Sequence, residues 1–494
     1  MSLDNLTSLL LYNDKSPILF NSGFFLFFLA AFLLCYQLVR NSERGRVAVF
    51  SFFSLYFFYL ACGSYVMLVI IAAIVDFYLS NRIHRETKDS VRKGLLWFSV
   101  VINIGLLFYF KYTNFFITCI NDLAGGNIHP IQVLLPIGIS FYTFENLSYT
   151  IDVYRREIKP VDKFMDYLFF LSFFPKLMMG PIVRAADFIP QIRRPYVLSK
   201  EDVGKGMFLI MNGLFKKVVI SDFIYQHFVQ YIFDDPARHT GIECLLGVYG
   251  YAMVIYCDFS GYSDMAIGIA RWTGFVIPPN FDKPYQSSSI TEFWRRWHIS
   301  LSSWLRDYVY IPLGGNRKGK FRQYVNLMLT MLVGGFWHGA SWNFIFWGGV
   351  HGGALAVDKL WAGWQKKRQW LRATPLRAGL WKIGGVLFTF HLVCFCWIFF
   401  KSETFAGAWE LLGQVTGNFQ GHLLGEVLAG YPEVFMLMGL GYLLHFLPSK
   451  WDEKLSLGFS NLHWAGAAAV MVLFIWMLNE VKTQEPMMPI YLQF

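Results

Sequence analysis

Charged residues are scarce in this chain of 494 residues, of which they make up 15%. A soluble domain carries roughly 25% charged residues, whereas here 55% of the residues are hydrophobic and 19% are aromatic. The formal net charge of +10 does not indicate nucleic-acid binding, because the cations cluster in short loops between apolar runs. The composition predicts a polytopic, all-α membrane protein and no nucleic-acid partner.

Cysteines are also few, and several recognition motifs are missing. The seven cysteines lie mostly in apolar runs, and their odd number argues against a disulfide framework or a zinc site. The chain has no G-x-S-x-G elbow, HExxH motif or EF-hand loop, so serine-hydrolase, zinc-protease and calcium functions gain no support. The segment GGNRKGK at 314–320 lacks the final Ser/Thr of a P-loop. We therefore expect no metal site and no nucleotide hydrolysis.

Long apolar runs are abundant, and each span of a bilayer needs about 20 mainly apolar residues. The candidate spans lie near residues 18–39, 47–63, 64–80, 94–112, 131–151, 164–180, 206–222, 245–270, 323–339, 342–360, 383–400, 432–447 and 464–478. Some of these are expected to be tilted, broken or re-entrant, which leaves about 10–12 true crossings.

The loops between these runs differ in their basic residues, and this difference predicts an orientation. Lys and Arg cluster near 40–46, 82–93, 155–163 and 366–377, whereas the loops 113–130 and 402–431 contain neither. By the positive-inside rule the basic loops are cytoplasmic. Both termini are then expected outside, and the opening MSLDNL reads as uncleaved, with 18–39 as the first anchor.

The stretch from 285 to 353 differs from the rest of the chain because it is rich in aromatic residues, cations and glycine. Its first half is predicted to be a helix with Ser289 as N-cap and Glu292 completing a capping box. At 100° per residue, one face of this helix is apolar and His298 lies at the edge of that face. The apolar face consists of Trp294, Trp297, Leu301, Trp304, Leu305 and Tyr308. Such a segment lies at an interface or enters a protein cavity.

The second half of the stretch places a histidine between glycines. An apolar run at 328–333 is interrupted by GGFWHG at 334–339, and a second apolar run begins at Trp342. An ionisable group at membrane depth usually faces a wet cavity or a partner, and glycines allow close approach of backbones or a ligand. His338 is therefore either a general base or a buried histidine bonded to a neighbouring carbonyl.

These motifs resemble the membrane-bound O-acyltransferase (MBOAT) family, in particular its bacterial alginate O-acetyltransferase branch. The resemblance extends to LPIGISFYTFENLSYTIDVYR at 135–155, FFPKLMMGPIVR at 173–184, YCDFSGYSDMAIGIA at 256–270 and the closing IYLQF. It implies a single MBOAT membrane domain over 1–494, with helices around a central tunnel. Scaffold spans at about 18–112 and 383–478 would flank a catalytic core at about 131–360.

The resemblance also implies roles for individual residues. His338, in the FWHG motif, would be the catalytic base, and His298, in WRRWHISL, would be a second functional residue. His298 could position the substrates or polarise the thioester carbonyl, or it could simply border the helix face. The tunnel is expected to be lined by Trp294, Trp297, Trp304, Trp337 and Asn343.

The donor implied by the family is acetyl-CoA, with no permanently bound cofactor. Arg295, Arg306 and Arg317 could bind coenzyme A phosphates, or they could anchor the chain to anionic lipid. The acceptor would be an extracytoplasmic acetyltransferase or carrier protein, and finally an exported polysaccharide such as alginate. Acyl transfer to peptidoglycan and D-alanyl transfer remain alternatives. The resemblance also implies that the protein lies in the bacterial inner membrane.

Two other classes remain as alternatives. A proton-coupled transporter would use Glu145, Asp258 and Asp264 as ion sites, although structural pairing of the two aspartates with nearby cations is favoured and no inverted repeat is visible. A catalytically inactive scaffold would recruit an outer acetyltransferase, but the presence of both motif histidines argues against it.

Overall fold

The computed structural model describes residues 10–13, 17–367, 374–481 and 487–490, and within these ranges it contains helices and no strand. The predicted all-α class is confirmed. Two residues of the predicted basic loop, Arg368 and Arg372, lie outside the described residues, as do most of the closing IYLQF segment and the first nine residues.

The α-helices follow one another along the whole described chain. The first half contains α1 (Gly23–Leu38), α2 (Glu43–Cys62), α3 (Val66–Arg85), α4 (Asp89–Leu107), α5 (Thr113–Ala124), α6 (Ile139–Arg155), α7 (Phe164–Ser172), α8 (Phe174–Leu177), α9 (Ala185–Ile192), α10 (Lys200–Leu214), α11 (Gln230–Asp234) and α12 (Gly241–Trp272). The second half contains α13 (Ile290–Arg296), α14 (Ile299–Leu305), α15 (Lys320–His338), α16 (Trp342–Lys367), α17 (Pro375–Lys401), α18 (Phe405–Gly417), α19 (Leu424–Gly430), α20 (Pro432–Phe446), α21 (Ser449–Ser460) and α22 (Trp464–Val481). Short π-helical segments occur at Phe108–Tyr112, Phe215–Asp222, Tyr225–Val229 and Arg306–Tyr310, and 3₁₀ turns at Gly63–Tyr65, Pro236–Arg238, Pro284–Gln286 and Gly421–Leu423.

Several helices are long and apolar enough to cross a membrane. Among the described residues these are Glu43–Arg85, Asp89–Ala124, Gly241–Trp272, Pro375–Lys401 and Trp464–Val481, and the pair Gly421–Gly430 and Pro432–Phe446, bent by 99°, adds a sixth if it forms one span. The first of them has 43 residues. It consists of α2 and α3, which have 20 residues each and are joined by the 3₁₀ turn at Gly63–Tyr65. At ~1.5 Å per residue each helix is about 30 Å long, the thickness of a bilayer core, so each can contain one of the two candidate spans. The multi-pass architecture is confirmed, whereas the total of 10–12 crossings stays a prediction.

The chain forms two compact units. The first comprises Met1–Ile210, Tyr262–Pro278 and Ser456–Leu462, and the second comprises Met211–Gly261, Pro279–Leu455 and His463–Phe494. Both motif histidines and the predicted tunnel residues belong to the second unit.

The first unit contains a buried polar network in the region that we predicted to be a largely apolar scaffold. The carboxylate of Asp76 accepts hydrogen bonds from the hydroxyl of Ser99, from Asn103 Nδ2 at 2.7 Å and from the Thr150 hydroxyl at 3.3 Å. Asp76 and Ser99 are fully buried. These bonds join α3, α4 and α6, because a buried carboxylate is tolerated only where donors surround it.

Each unit also contains buried ion pairs. In the first unit, Lys176 Nζ lies 2.6 Å from Glu145 Oε2. In the second, Lys217 Nζ lies 2.6 Å from Asp258 Oδ1 and 2.7 Å from Asp222 Oδ1. Removing one partner of such a pair typically costs about 3–5 kcal/mol, because the other charge stays buried. The structural interpretation of Asp258 is therefore confirmed, and Glu145 is held in the same way.

Candidate active site

The helix predicted to follow Ser289 is broken in the structure, and His298 lies at the break. The hydroxyl of Ser289 accepts from the backbone N of Glu292 at 3.2 Å, so the predicted N-cap is correct. The helix α13 then stops at Arg296, and α14 begins only at Ile299, because His298 adopts a left-handed backbone with φ of 43°. The prediction of one continuous helix is wrong at this point.

Asn280, from the loop before α13, explains the break. Its backbone carbonyl accepts from the backbone N of Ile299 at 2.9 Å, and its side-chain Oδ1 accepts from the backbone N of Ser300 at 3.2 Å. A residue from outside the helix therefore satisfies the first N–H groups of α14, which a straight helix would have bonded internally. The left-handed turn at His298 makes room for it.

The same Asn280 oxygen fixes the protonation of His298. It lies 3.1 Å from His298 Nδ1 and also accepts from the Ser300 hydroxyl at 2.9 Å. Since a backbone N–H can only donate, the atom that faces Ser300 N is the carboxamide oxygen, and the nearby His298 Nδ1 must carry the proton. The lone pair of the neutral ring is then on Nε2, the nitrogen that can accept a proton.

His298 is fully buried, so it does not lie at a membrane interface. Its ring meets the ring of Phe259 edge-on, with 4.6 Å between centroids. Burial lowers the pKa of the imidazole to about 3, so the ring is neutral at pH 7. Of the two placements predicted for this segment, an interface or a protein cavity, the interfacial one is wrong at His298, because the Asn280 contacts hold this residue inside the second unit.

Glycines bring α15 and α16 into close contact, as the sequence predicted. A Cβ on Gly335 would lie 2.3 Å from the carbonyl oxygen of Phe344, and one on Gly348 would lie 2.5 Å from that of Met331. Real Cβ atoms do not approach so closely, and only glycine allows this backbone separation. The GGFWHG segment does not interrupt the helix before its end: α15 continues to His338.

His338, the last residue of α15, lies among aromatic rings and is 5% exposed. Its ring centroid is 4.9 Å from that of Trp337, 5.1 Å from that of Trp347 and 5.3 Å from that of Phe400. All three rings meet the imidazole at steep angles, between 70° and 82°. The side chain is therefore held in position by apolar walls from α15, α16 and α17.

Trp337 connects the two motif histidines. Its ring is 4.9 Å from that of His338 and 6.1 Å from that of His298. The structure thus places both histidines, which are 40 positions apart in the sequence, in one aromatic cluster of the second unit. Both histidines therefore belong to one candidate site.

The residues predicted to line a tunnel occupy different surroundings. Trp297 stacks on Phe293, with centroids 5.6 Å apart, and also contacts Trp397. Trp294 Nε1 donates a hydrogen bond to His351 Nδ1 at 3.3 Å, and Asn343 Nδ2 donates one to the Ser402 carbonyl at 2.7 Å. The ring of Trp304 contacts that of Tyr308, with centroids 5.1 Å apart. Trp294 and Trp337 therefore belong to the histidine cluster, and the tunnel itself stays a prediction.

One residue of this cluster, His351, was not among our predicted site residues. It is fully buried on α16, one helical turn after Trp347, and the two ring centroids are 4.6 Å apart. The signal was present in the sequence: Trp347 and His351 are four positions apart in WGGVHGG, a spacing that puts both on one face of a helix.

The three arginines proposed for phosphate binding, Arg295, Arg306 and Arg317, are all exposed. Arg306 Nε donates to Asp307 Oδ1 at 2.8 Å, and this hydrogen bond raises the pKa of the Arg306 guanidinium. A coenzyme A phosphate would compete with Asp307 for it. No group of three or more His, Cys, Asp or Glu side chains in the described part of the chain could hold a metal ion.

The chain is similar in sequence to known membrane proteins that transfer acyl groups. The sequence model of the membrane-bound O-acyltransferase family matches residues 17–400. The chain is 34% identical to a peptidoglycan O-acetyltransferase of Helicobacter pylori over 430 residues, which cover 81% of this chain and 80% of the relative. It is 39% identical to the probable alginate O-acetylase AlgI of Pseudomonas aeruginosa over 403 residues, 80% of this chain and 74% of the relative. A teichoic acid D-alanyltransferase of Bacillus subtilis is 32% identical over 292 residues, 56% of this chain and 71% of the relative. The chain therefore belongs to the membrane-bound O-acyltransferase family and is a multi-pass membrane O-acyltransferase similar to the alginate O-acetylases.

Proposed function

We propose that this protein takes an acetyl group from acetyl-CoA on the cytoplasmic side and passes it to a hydroxyl group at the outer side of the bacterial inner membrane. The observation that carries the proposal is the joint placement of His298 and His338 in one buried aromatic cluster, with Trp337 in contact with both. Acyl transfer to an alcohol needs a proton acceptor at the point where the new bond forms.

In the proposed reaction His338 is the general base. The acceptor oxygen attacks the thioester carbonyl while its proton moves to the imidazole of His338. The C–O bond forms, the C–S bond breaks, and the imidazolium returns its proton to the departing thiolate. The rings of Trp347 and Phe400 have their centroids 5.1 and 5.3 Å from that of His338. These apolar walls would exclude water that could otherwise hydrolyse the thioester.

The hydrogen bonds of Asn280 favour one of the two functional roles expected for His298. With the proton on Nδ1, its Nε2 is an acceptor, so this nitrogen cannot donate to a thioester carbonyl. It can accept a hydrogen bond from the acceptor hydroxyl. We therefore assign His298 to orienting the hydroxyl next to His338, and the polarising role needs another donor.

The final acceptor is proposed to be an exported polysaccharide such as alginate, reached through an extracytoplasmic acetyltransferase or carrier protein. Support comes from the alginate O-acetylases, which are 39% identical over about four fifths of this chain. The peptidoglycan O-acetyltransferase covers a similar share at 34% identity, so peptidoglycan is the second candidate.

The decisive test measures acetyl transfer by purified protein. Detergent-solubilised protein is supplied with acetyl-CoA labelled in the acetyl group, and with alginate or peptidoglycan fragments alone and together with the extracytoplasmic proteins encoded nearby. We expect release of free coenzyme A and labelled product without a sealed membrane. A transporter would instead need vesicles and a gradient, and consumption of a D-alanyl carrier protein in place of acetyl-CoA would contradict the proposed donor.

Variants of His338 test the general base. His338→Ala should reduce transfer by about 10²–10⁴-fold, the usual effect of losing such a group. His338→Gln can orient the hydroxyl but cannot take its proton, so it should be similarly impaired. The matched control is His227→Gln, since His227 is exposed and bonds to a backbone carbonyl of its own helical segment. Near-normal turnover in His338→Gln would make His298 the leading base.

A further inference from the structure

The hydrogen bond from Trp294 defines the tautomer of His351. Its Nδ1 lies 3.3 Å from Trp294 Nε1. An indole nitrogen can only donate, so Nδ1 of His351 must accept, and the proton of a neutral imidazole is then on Nε2. His351 is thus protonated on the opposite nitrogen from His298.

This Nε2–H is one of two neighbouring donors without an acceptor among the described residues. His351 Nε2 and Trp347 Nε1 are both buried and have no hydrogen-bond partner in the described part of the chain. They belong to side chains on the same face of α16, with ring centroids 4.6 Å apart. An unsatisfied buried donor costs about 1–3 kcal/mol, so two of them side by side indicate a place where a ligand supplies the acceptor.

The position of these donors identifies the chemistry of that ligand. The ring of Trp347 is also 5.1 Å from that of His338. The surrounding rings of Trp294, Phe293 and His351 are uncharged or aromatic, which suits a neutral carbonyl better than a phosphate. A carbonyl oxygen that gains negative charge during acyl transfer is stabilised by fixed donors in such a dry site.

We propose that His351 Nε2–H, with Trp347 Nε1–H, donates hydrogen bonds to the carbonyl oxygen of the acyl group during its transfer. The proposal rests on the proposed function and adds the electrophilic part of the site, which His298 cannot supply because its Nε2 accepts. His351 forms and breaks no covalent bond and keeps its proton throughout. The proton that moves is the one that His338 takes from the hydroxyl and returns to sulfur.

Three substitutions at His351 separate the donor from its packing. His351→Gln places an amide N–H near the position of Nε2. His351→Asn retains an acceptor for Trp294 but has no donor at that reach, and His351→Phe retains only the ring shape. We expect Phe and Asn to lower kcat by about 10²–10³-fold, the effect of losing one donor to an oxyanion, and Gln to stay within about 10-fold of wild type.

Binding of two inert coenzyme A analogues provides a readout that a purely structural role would not change. One analogue has a ketone in place of the thioester, and the other is a thioether without the carbonyl. Wild-type protein should bind the ketone about 10-fold more tightly, and His351→Asn should lose this preference while His351→Gln keeps it. The control is His445→Phe: His445 is also buried, and its Nε2 accepts from the Tyr285 backbone N at 3.1 Å. It should lose thermal stability and keep the ketone preference.

The outcomes distinguish this proposal from the one on which it rests. Acetyl transfer by wild type together with an unchanged ketone preference in both His351→Asn and His351→Phe overturns the role of His351 alone. Wild-type protein that transfers no acetyl group from acetyl-CoA overturns the proposed function, and the assignment of His351 falls with it. A matching loss in Trp347→Phe supports the paired donors.

Discussion

Replacing Asn280 with leucine should damage the active site without touching either motif histidine. Asn280 is 1% exposed, and its Oδ1 accepts from His298 Nδ1, from the backbone N of Ser300 and from the Ser300 hydroxyl, at 3.1, 3.2 and 2.9 Å. Leucine has nearly the same volume and shape but no acceptor. The substitution therefore removes hydrogen bonds while it preserves packing.

The size of the effect follows from these bonds. The hydroxyl of Ser300 can rotate to another partner, but the N–H groups of His298 and Ser300 cannot. At about 1–3 kcal/mol for each buried unsatisfied donor, the free energy of unfolding should fall by about 2–6 kcal/mol. His298 can avoid an unsatisfied Nδ1–H by carrying its proton on Nε2 instead. Nε2 is then a donor and can no longer accept a hydrogen bond from the substrate hydroxyl. A tautomer disfavoured by about 1.4–2.8 kcal/mol lowers kcat by about 10- to 100-fold.

Two further variants make the interpretation decisive. Asn280→Asp keeps the oxygen acceptor, so it should retain much more activity than Asn280→Leu. Asn326→Leu removes another buried asparagine, whose Nδ2 donates to the Gly315 carbonyl at 2.9 Å, and should lower stability alone. Thermal unfolding in detergent and labelled-acetyl turnover measure the two effects separately. If Asn280→Leu were less stable but turned over like wild type, the tautomer of His298 would have no catalytic role.

Further predictions concern topology, the donor and helix packing. Cysteine introduced at Asn127 should react with an impermeant thiol reagent from outside intact cells, whereas cysteine at Arg85 should not; the reverse result would invert the orientation. Alanine at each of the three proposed phosphate-binding arginines should raise the KM for acetyl-CoA by about 10- to 100-fold without lowering protein amount, and unchanged donor kinetics in all three would assign them to lipid anchoring. Gly335→Ala should destabilise the α15–α16 pair, because its Cβ would lie 2.3 Å from the Phe344 carbonyl oxygen, whereas Gly349→Ala, with its nearest atom at 3.8 Å, should be tolerated; equal melting temperatures would refute the close packing.

Local features of the fold could be predicted well from the sequence. The N-cap at Ser289 is a contact with Glu292, only three positions away. The end of an apolar run is likewise set by the residues next to it in the sequence. For the same reason, the helices around 323–339 and 342–360 lie close to their predicted positions, at Lys320–His338 and Trp342–Lys367. The polar network around Asp76 was not predicted, because its acceptor and its donors come from three different helices.

The sequence by itself determined that this is a helical membrane protein of the O-acyltransferase family, since hydrophobicity and long motifs are properties of contiguous residues. Only the tertiary structure decided the break before α14, the burial of His298 and its tautomer. These depend on Asn280, which lies 18 positions before His298 and outside the helical pattern that contains it. The donor on His351 is decided in the same way, because the partner of its Nδ1 is Trp294, 57 positions away. Hydrogen-bond partners in a buried site are determined by three-dimensional packing, and they cannot be predicted from local sequence periodicity.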